Sequence, residues 1–244
     1  MPVESQQQVS VFERSLAAAD SEITASWRLL SASERDRADR FYRPRDAAWY
    51  IVGRGWLRRV IAEQLDKDPA AIRFEENRFG KPSLADAGDI HFNLSHSHGH
   101  AVVAIARGFE VGIDIELVRT SPIEVATLFF SEEERAALAR LGPDAVDEAF
   151  FACWTRKEAV VKALGEGLSF PLHAFSVTVC PGRRPAIERF DGESSEADRW
   201  QLETIRPAPH FIGAVAARRR GWCLVEQIGP QGARRPAAKM HDLG

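Results

Sequence analysis

The feature that most restricts how this chain folds is an order of elements that recurs along it. Asp46 to Leu65 (DAAWYIVGRGWLRRVIAEQL) sets Ile51, Leu57, Val60, Ile61 and Leu65 on one broad stripe at helical spacing, with Asp46 available to cap the start. A short strand is predicted at Ile72–Glu75, a turn at Gly80-Lys81-Pro82, and a strand at Ile90–Leu94. Two more strands, at Ala101–Arg107 and Val111–Glu116, flank a turn at Gly108. The second half runs through the same order: a helix over Asp147–Leu164, then strands at Phe175–Val179, Trp200–Ile205 and Phe211–Ala217. Arg184-Pro185 lies as far beyond Phe175 as Lys81-Pro82 lies beyond Ile72, and HGHAVVAIARG matches HFIGAVAARRRG in pattern. Two related α+β halves follow, and a ligand belongs in the cleft between them.

We place the halves at residues 1–110 and 111–228. The chain from Gly229 onward, rich in Gly, Pro, Ala and charge, is read as a disordered tail. Between the halves, Ser131 with Glu134 makes a capping box for a short helix to Arg140, ended by Gly142-Pro143.

With 244 residues, 45% of them hydrophobic and six of them tryptophan, the chain can bury one large core or two that share a boundary. The formal net charge of −3 hides a crowd of arginines (35, 37, 40, 43, 45, 54, 58 and 59), a hint of an anionic ligand that a solvated helix face would equally explain. Cys153, Cys180 and Cys223 are widely spaced, without a CxxC pair, which argues against a disulfide framework or zinc knuckle and suits a reducing cytoplasm. The N-terminal segment lacks a basic region followed by an apolar run, and no apolar stretch approaches about eighteen residues, so neither secretion nor membrane spanning is expected.

Three segments carry chemistry. In Gly112-Ile113-Asp114-Ile115-Glu116, strand alternation turns Asp114 and Glu116 to one face and Ile113 and Ile115 to the core. Two solvated surface acids are one reading. A shared hard cation is the other, since Mg²⁺ takes oxygen ligands and completes its shell with water and substrate phosphates. In Trp154-Thr155-Arg156-Lys157-Glu158-Ala159-Val160-Val161-Lys162, helical spacing aligns Trp154, Glu158 and Lys162 on one stripe. That stripe is either an exposed ion pair worth a few tenths of a kcal/mol or a third metal ligand beside a phosphate-binding lysine. In His91-Phe92-Asn93-Leu94-Ser95-His96-Ser97-His98-Gly99-His100, the absence of cysteines and of an HxxxH helix argues against zinc. An anion seat formed by the Ser95 hydroxyl, the His96 ring and turn N–H groups is the better account, with His98 and His100 as solvated turn residues.

Gly80-Lys81-Pro82, FNLSHS, GIDIE and WTRKEAVVKALGEGLSF, in this order and spacing, resemble the 4′-phosphopantetheinyl transferases, in particular the larger surfactin-synthetase-activating type. The resemblance covers residues 31–221. It implies an α+β fold, a pseudo-duplicated monomer of two similar α/β halves, each a small, mainly antiparallel sheet packed on a helix. It also implies a cytoplasmic enzyme that transfers the 4′-phosphopantetheine of coenzyme A to a serine of an apo acyl, peptidyl or aryl carrier protein, releasing 3′,5′-ADP. Such enzymes serve polyketide, nonribosomal-peptide or fatty-acid synthesis, with no nucleic acid or membrane partner.

The resemblance makes Asp114, Glu116 and Glu158 the ligands of Mg²⁺, with Mn²⁺ as a substitute. It makes Lys162, Ser95 and His96 phosphate contacts, Lys81 and Pro82 the border of the adenine site, and Arg54 a basic group near the ribose 3′-phosphate. Phe129-Phe130-Ser131 and the following helix resemble the carrier-facing region. Glu34 departs from the pattern, standing where relatives often carry lysine, with Arg37 close by to take over a phosphate contact.

The chemistry agrees with these roles. Charge accumulates on departing 3′,5′-ADP, where Mg²⁺, Lys162 and His96 would neutralise it, and alignment of serine and phosphorus in the cleft supplies much of the rest. The serine proton needs a base, either Glu158 or a metal-bound water held by it, while Trp154 suits a packing role. With water in place of serine, the same acids would make a metal-dependent pyrophosphohydrolase of coenzyme A or a nucleotide. A non-catalytic coenzyme A binding module would have little use for a third acid.

Overall fold

Two helices of equal length, each opened by a proline, set the frame of a computed structural model that describes residues 7–228 other than 87, 181, 193 and 194. The expected disordered tail from Gly229 lies outside the described residues. In chain order the first half contains β1 (Gln8–Ser15), α1 (Asp20–Leu29), α2 (Ala32–Ala38), α3 (Pro44–Leu65), β2 (Phe74–Glu76), β3 (Pro82–Leu84), β4 (Ile90–Ser97) and β5 (His100–Arg107). The second contains β6 (Gly112–Leu117), α4 (Ile123–Phe129), α5 (Glu132–Ala139), α6 (Pro143–Leu164), β7 (Phe175–Val177), β8 (Ile187–Phe190), β9 (Gln201–Ile205), β10 (Phe211–Ala217) and β11 (Cys223–Ile228).

The main strands form a four-stranded sheet in the order β11-β1-β5-β4 and a three-stranded sheet in the order β6-β10-β9. Neighbours pair antiparallel except β1 and β11, which run parallel, so the first sheet takes its edge strand from the end of the described chain. Strand alternation explains the layering. On β5, Ala101, Val103 and Ile105 pack with Val52, Trp56 and Leu57 of α3, while Val102, Ala104 and Ala106 pack with Ile113, Ile115 and Val215 of the other sheet. On β10, Ile212, Ala214 and Ala216 turn to the residues of α6. The order is therefore helix, sheet, sheet, helix, and each Val or Ile buried from open water contributes about 1.5–3 kcal/mol to it. Among the described residues, no helix is long and apolar enough to cross a membrane.

Helix starts differ from expectation for identifiable reasons. Arg43 rather than Asp46 is the N-cap of α3, because Pro44 at the first turn fixes the helical φ. For the same reason α6 begins at Pro143, not Asp147: Gly142-Pro143 ends α5 only in the sense that it opens the next helix. Asp147, freed from capping α6, accepts the Ser121 N–H at 2.8 Å.

A polar device is repeated with the helices. The expected capping box of Ser131 and Glu134 is present, and Ser31 with Glu34 forms its counterpart one hundred positions earlier, with the same N-cap backbone angles. Each glutamate also holds a buried cation on the long helix. Glu134 accepts from the fully buried Lys157 at 2.7 Å, and Lys157 also reaches the Phe175 carbonyl. Glu34 accepts from Arg58 and Arg54, both at 2.7 Å, and Arg58 reaches the Ile72 carbonyl at 2.8 Å. Burial alone would raise the Glu34 pKa, but Arg54, the Ser31 N–H and Arg58 outweigh it and hold the carboxyl below the ordinary glutamate value.

Glu34→Gln leaves Arg58 buried without its counter-charge and is expected to cost about 3 kcal/mol at neutral pH, read by urea denaturation. Because the native pKa is depressed, Glu34 stabilises above the unfolded glutamate pKa and loses this effect as pH falls through the native value. The gap between wild type and Glu34→Gln should therefore narrow with acidification.

Candidate active site

The second half brings its acids together by an unusually close strand-to-helix approach. A Cβ on Gly112 would overlap the Ala159 carbonyl oxygen and the Ala163 nitrogen of α6, so only glycine lets β6 lie this near the helix. Ile113 and Ile115 face the first sheet as expected, which turns Asp114 and Glu116 the other way, toward the α6 stripe that carries Glu158 and Lys162. The expectation of surface acids is corrected for Asp114: α6 covers it, and it is 5% exposed.

Lys162 Nζ lies 2.6 Å from Asp114 Oδ1 and 3.1 Å from Ser95 Oγ. Glu158 is half-buried. Loss of water pushes its carboxyl pKa above the ordinary value, the negative charges of Asp114 and Glu116 push the same way, and Lys162 partly opposes them. The exposed ion pair that the helix stripe could have meant is thus a half-enclosed cluster of three acids and one ammonium.

The second support of the site is the seam between β4 and β6, which belong to different sheets. Asn93, Ser95 and Ser97 are all buried on one face of β4, and the first two stand in for the missing backbone ladder. Asn93 Oδ1 accepts the Ile113 N–H at 2.9 Å, and Ser95 Oγ accepts the Ile115 N–H at 3.4 Å. Ser95 donates its proton to Asp114 at 2.8 Å, and Ser97 donates to Glu116 at 2.7 Å.

Strand alternation puts Ser95 and His96 on opposite faces, and in this structure Ser95 gives its one proton to Asp114 and so orients an acid. His96 is exposed, yet partial loss of water around its ring, with Lys162 and Arg37 nearby, lowers its pKa against the pull of Asp114. His98 lies exposed in the turn, whereas His100 is half-buried in β5 with its ring 5.0 Å from Phe211, not solvated as expected.

The other expected ligand contacts have protein partners. Lys81 bonds Glu110 and the Ala163 carbonyl at the end of α6, and Pro82 opens β3. Arg54 is engaged by Glu34 and lies over the Phe74 ring, so the structure ties it into the repeated polar device. Glu34, which departs from the family pattern, is for the same reason a buried structural acid. Asn77 was not foreseen. Its Oδ1 accepts from Phe79 and Lys81 N–H groups, and its Nδ2 donates to the Gly165 carbonyl at 2.9 Å, tying the Lys81 turn to the second half. Its position between a strand and Gly80 was the available signal. Trp154 is the packing anchor expected of it, its ring 5.7 Å from Phe129 and near those of Phe130 and Phe150.

The donor set suits a hard divalent cation. Asp114 Oδ2 is buried and has no hydrogen-bond partner, an orphan that an ion would satisfy, and the charges of Asp114 and Glu116 act on Glu158 with only Lys162 opposing them in part. Among the described residues, no three His, Cys, Asp or Glu side chains form a preassembled metal cluster. Oxygens from a bound phosphate and from water would therefore have to complete the shell.

Comparison with known proteins shows the family. A family model described as the 4′-phosphopantetheinyl transferase superfamily matches residues 110–215, and one described as the N-terminal part of 4′-phosphopantetheinyl transferases matches residues 16–108. A 4′-phosphopantetheinyl transferase of Bacillus subtilis is 35% identical over 193 residues, covering 76% of this chain and 86% of its own. The 4′-phosphopantetheinyl transferase HetI of a Nostoc species is 33% identical over 198 residues, covering 79% and 80%. The chain belongs to the 4′-phosphopantetheinyl transferase superfamily.

Gly112→Ala tests the close approach on which the acid cluster depends. It should cost about 1–3 kcal/mol through overpacking and lower transfer turnover more than it lowers stability would explain, measured by denaturation and by steady-state kinetics at a temperature where the variant is folded.

Proposed function

We propose that this transferase works in the cleft between residues 1–110 and 111–228, moving the phosphopantetheine arm of coenzyme A to a serine hydroxyl of an apo carrier protein and releasing 3′,5′-ADP. The observation that carries the reading is the buried, half-unpartnered Asp114 set against Lys162 and flanked by Glu116 and Glu158. Asp114, Glu116 and Glu158 are the residues that would hold Mg²⁺. When bound, that ion supplies positive charge to the pyrophosphate and to the leaving group as negative charge grows there.

Glu158 is the base. Its raised pKa makes it a better proton acceptor than an ordinary glutamate. It takes the serine proton as the serine oxygen bonds to the pantetheine-side phosphorus and the bond from that phosphorus to the bridging oxygen breaks. Lys162, now on Asp114, would turn its ammonium to the phosphate oxygens. His96, its pKa lowered by partial loss of water around the ring, gives an N–H hydrogen bond to a phosphate oxygen.

The carrier, on this reading, docks along α4. Phe129 and Phe130 turn inward onto Trp154, but Ile123 and Leu128 stand 47% and 70% exposed. Leu128 also borders an open groove of about 460 Å³ whose lining mixes Arg135 and Arg189 with Glu132 and Glu133, so the exposed apolar side chains of α4 carry the docking reading.

Incubated with coenzyme A, Mg²⁺ and a panel of apo acyl and peptidyl carriers, the protein should add one phosphopantetheine mass to at least one carrier, seen by intact-mass spectrometry. Free phosphopantetheine with every carrier unmodified would favour hydrolysis instead. Glu158→Gln should reduce kcat by about 10²–10⁴ with a much smaller change in KM for the carrier, and wild-type turnover in this variant would exclude Glu158 as the base.

A further inference from the structure

The seam between β4 and β6 contains a hydroxyl that the reaction does not itself require. Ser97 is 7% exposed and donates to Glu116 Oε2 at 2.7 Å. Its Oγ also lies 2.9 Å from His98 Nδ1. A serine has one proton, and Glu116 receives it, so Nδ1 of His98 must be the donor to Ser97. This fixes both the imidazole tautomer and the direction of the Ser97 hydroxyl. The result is a chain of donors running His98 to Ser97 to Glu116.

The backbone holds His98 beside Ser97. His98 and Gly99 close the β4–β5 hairpin with φ of +47° and +76°, a pair of left-handed positions that favours Asn-Gly or Gly-Gly. Gly99 has an evident reason, since a Cβ there would press on the Trp49 ring. Histidine is among the non-glycine residues that accept such a left-handed position, and His98 is exposed with the Ser97 hydroxyl as its bonded partner.

The two acids of β6 are also held unequally. Asp114 is fixed by both Ser95 and Lys162, whereas the hydrogen bond given for Glu116 among the described residues comes from Ser97. The orientation of Glu116 thus depends on Ser97, as that of Asp114 depends on Ser95.

We propose that Ser97, directed by His98, is the positioning residue for Glu116 and sets how tightly the β6 carboxylates take a divalent cation. The inference rests on the reading of Asp114, Glu116 and Glu158 as metal ligands, and its test separates the two. Mn²⁺ is titrated into the protein with saturating coenzyme A and no carrier, and free Mn²⁺ is followed by electron paramagnetic resonance. Ser97→Ala should weaken Mn²⁺ binding by about tenfold, the scale seen when a partner orienting a metal ligand is removed, with coenzyme A affinity measured without metal unchanged.

His98→Gly should weaken Mn²⁺ binding in the same direction while melting at or above the wild-type temperature, since glycine suits the left-handed turn position. A merely structural role would not separate metal affinity from stability in this way. Wild-type Mn²⁺ affinity in a folded Ser97→Ala protein would overturn the positioning role alone. If Ser97→Ala does not fold, unchanged Mn²⁺ binding in His98→Gly overturns the relay. Failure of the wild type to bind Mn²⁺ would overturn the metal reading, and this role with it.

Discussion

The site depends on how two sheets meet without joining. β4 and β6 lie side by side but share no backbone ladder, and the gap is bridged by Asn93 and Ser95 accepting from the N–H groups of Ile113 and Ile115. A continuous ladder would have left these polar side chains with no reason to be buried. Because side chains do the bridging, Ser95 both satisfies the strand edge and reaches Asp114, with Asn93 bridging the edge on one side of it and Ser97 reaching Glu116 on the other. On the far side, Gly112 lets α6 close over those acids, which withdraws water from Asp114 and Glu158 and strengthens every charge interaction between them.

The repeated glutamate explains how two such halves hold their shape. In each, one carboxylate completes a capping box, neutralises a cation buried on the long helix, and through that cation reaches the carbonyl of a later segment. A buried ion pair of this kind is weak evidence for net stability, but removing one partner is costly, so it ties the short helix, the long helix and the following chain into one arrangement. In the first half the device takes Arg54 and Arg58, and in the second it takes Lys157, leaving Glu158 and Lys162 on the next turns of α6 free for the site.

Much of this was legible in the sequence where periodicity speaks directly. Alternation in GIDIE put Ile113 and Ile115 inward and paired Asp114 with Glu116, and helical spacing aligned Glu158 with Lys162. Alternation could not say what covers the acidic face, since that depends on the packing of α6 and on a glycine whose closeness is a tertiary fact. It did contain the separation of Ser95 from His96, but a reading of the motif as a single anion seat overrode it. The Ser31 and Glu34 capping box carried the same S-x-x-E signal as Ser131 and Glu134, and was hidden because Glu34 was weighed only as a departure from the family. β1 was missed because Phe12 follows Val11 and breaks the alternation begun at Val9 and Ser10, and β11 because pairing with a strand more than two hundred residues away leaves no local trace.

The central claim is that Asp114, Glu116 and Glu158 share one divalent cation against the pyrophosphate of coenzyme A. A crystal structure of the protein with coenzyme A and Mn²⁺, phased to show anomalous scattering, tests it most directly. The expected result is an anomalous peak within bonding distance of carboxylate oxygens of Asp114, Glu116 and Glu158 and of the pyrophosphate, with Lys162 moved from Asp114 to a phosphate oxygen. A peak elsewhere, with Lys162 still bonded to Asp114 while coenzyme A is bound, would contradict it.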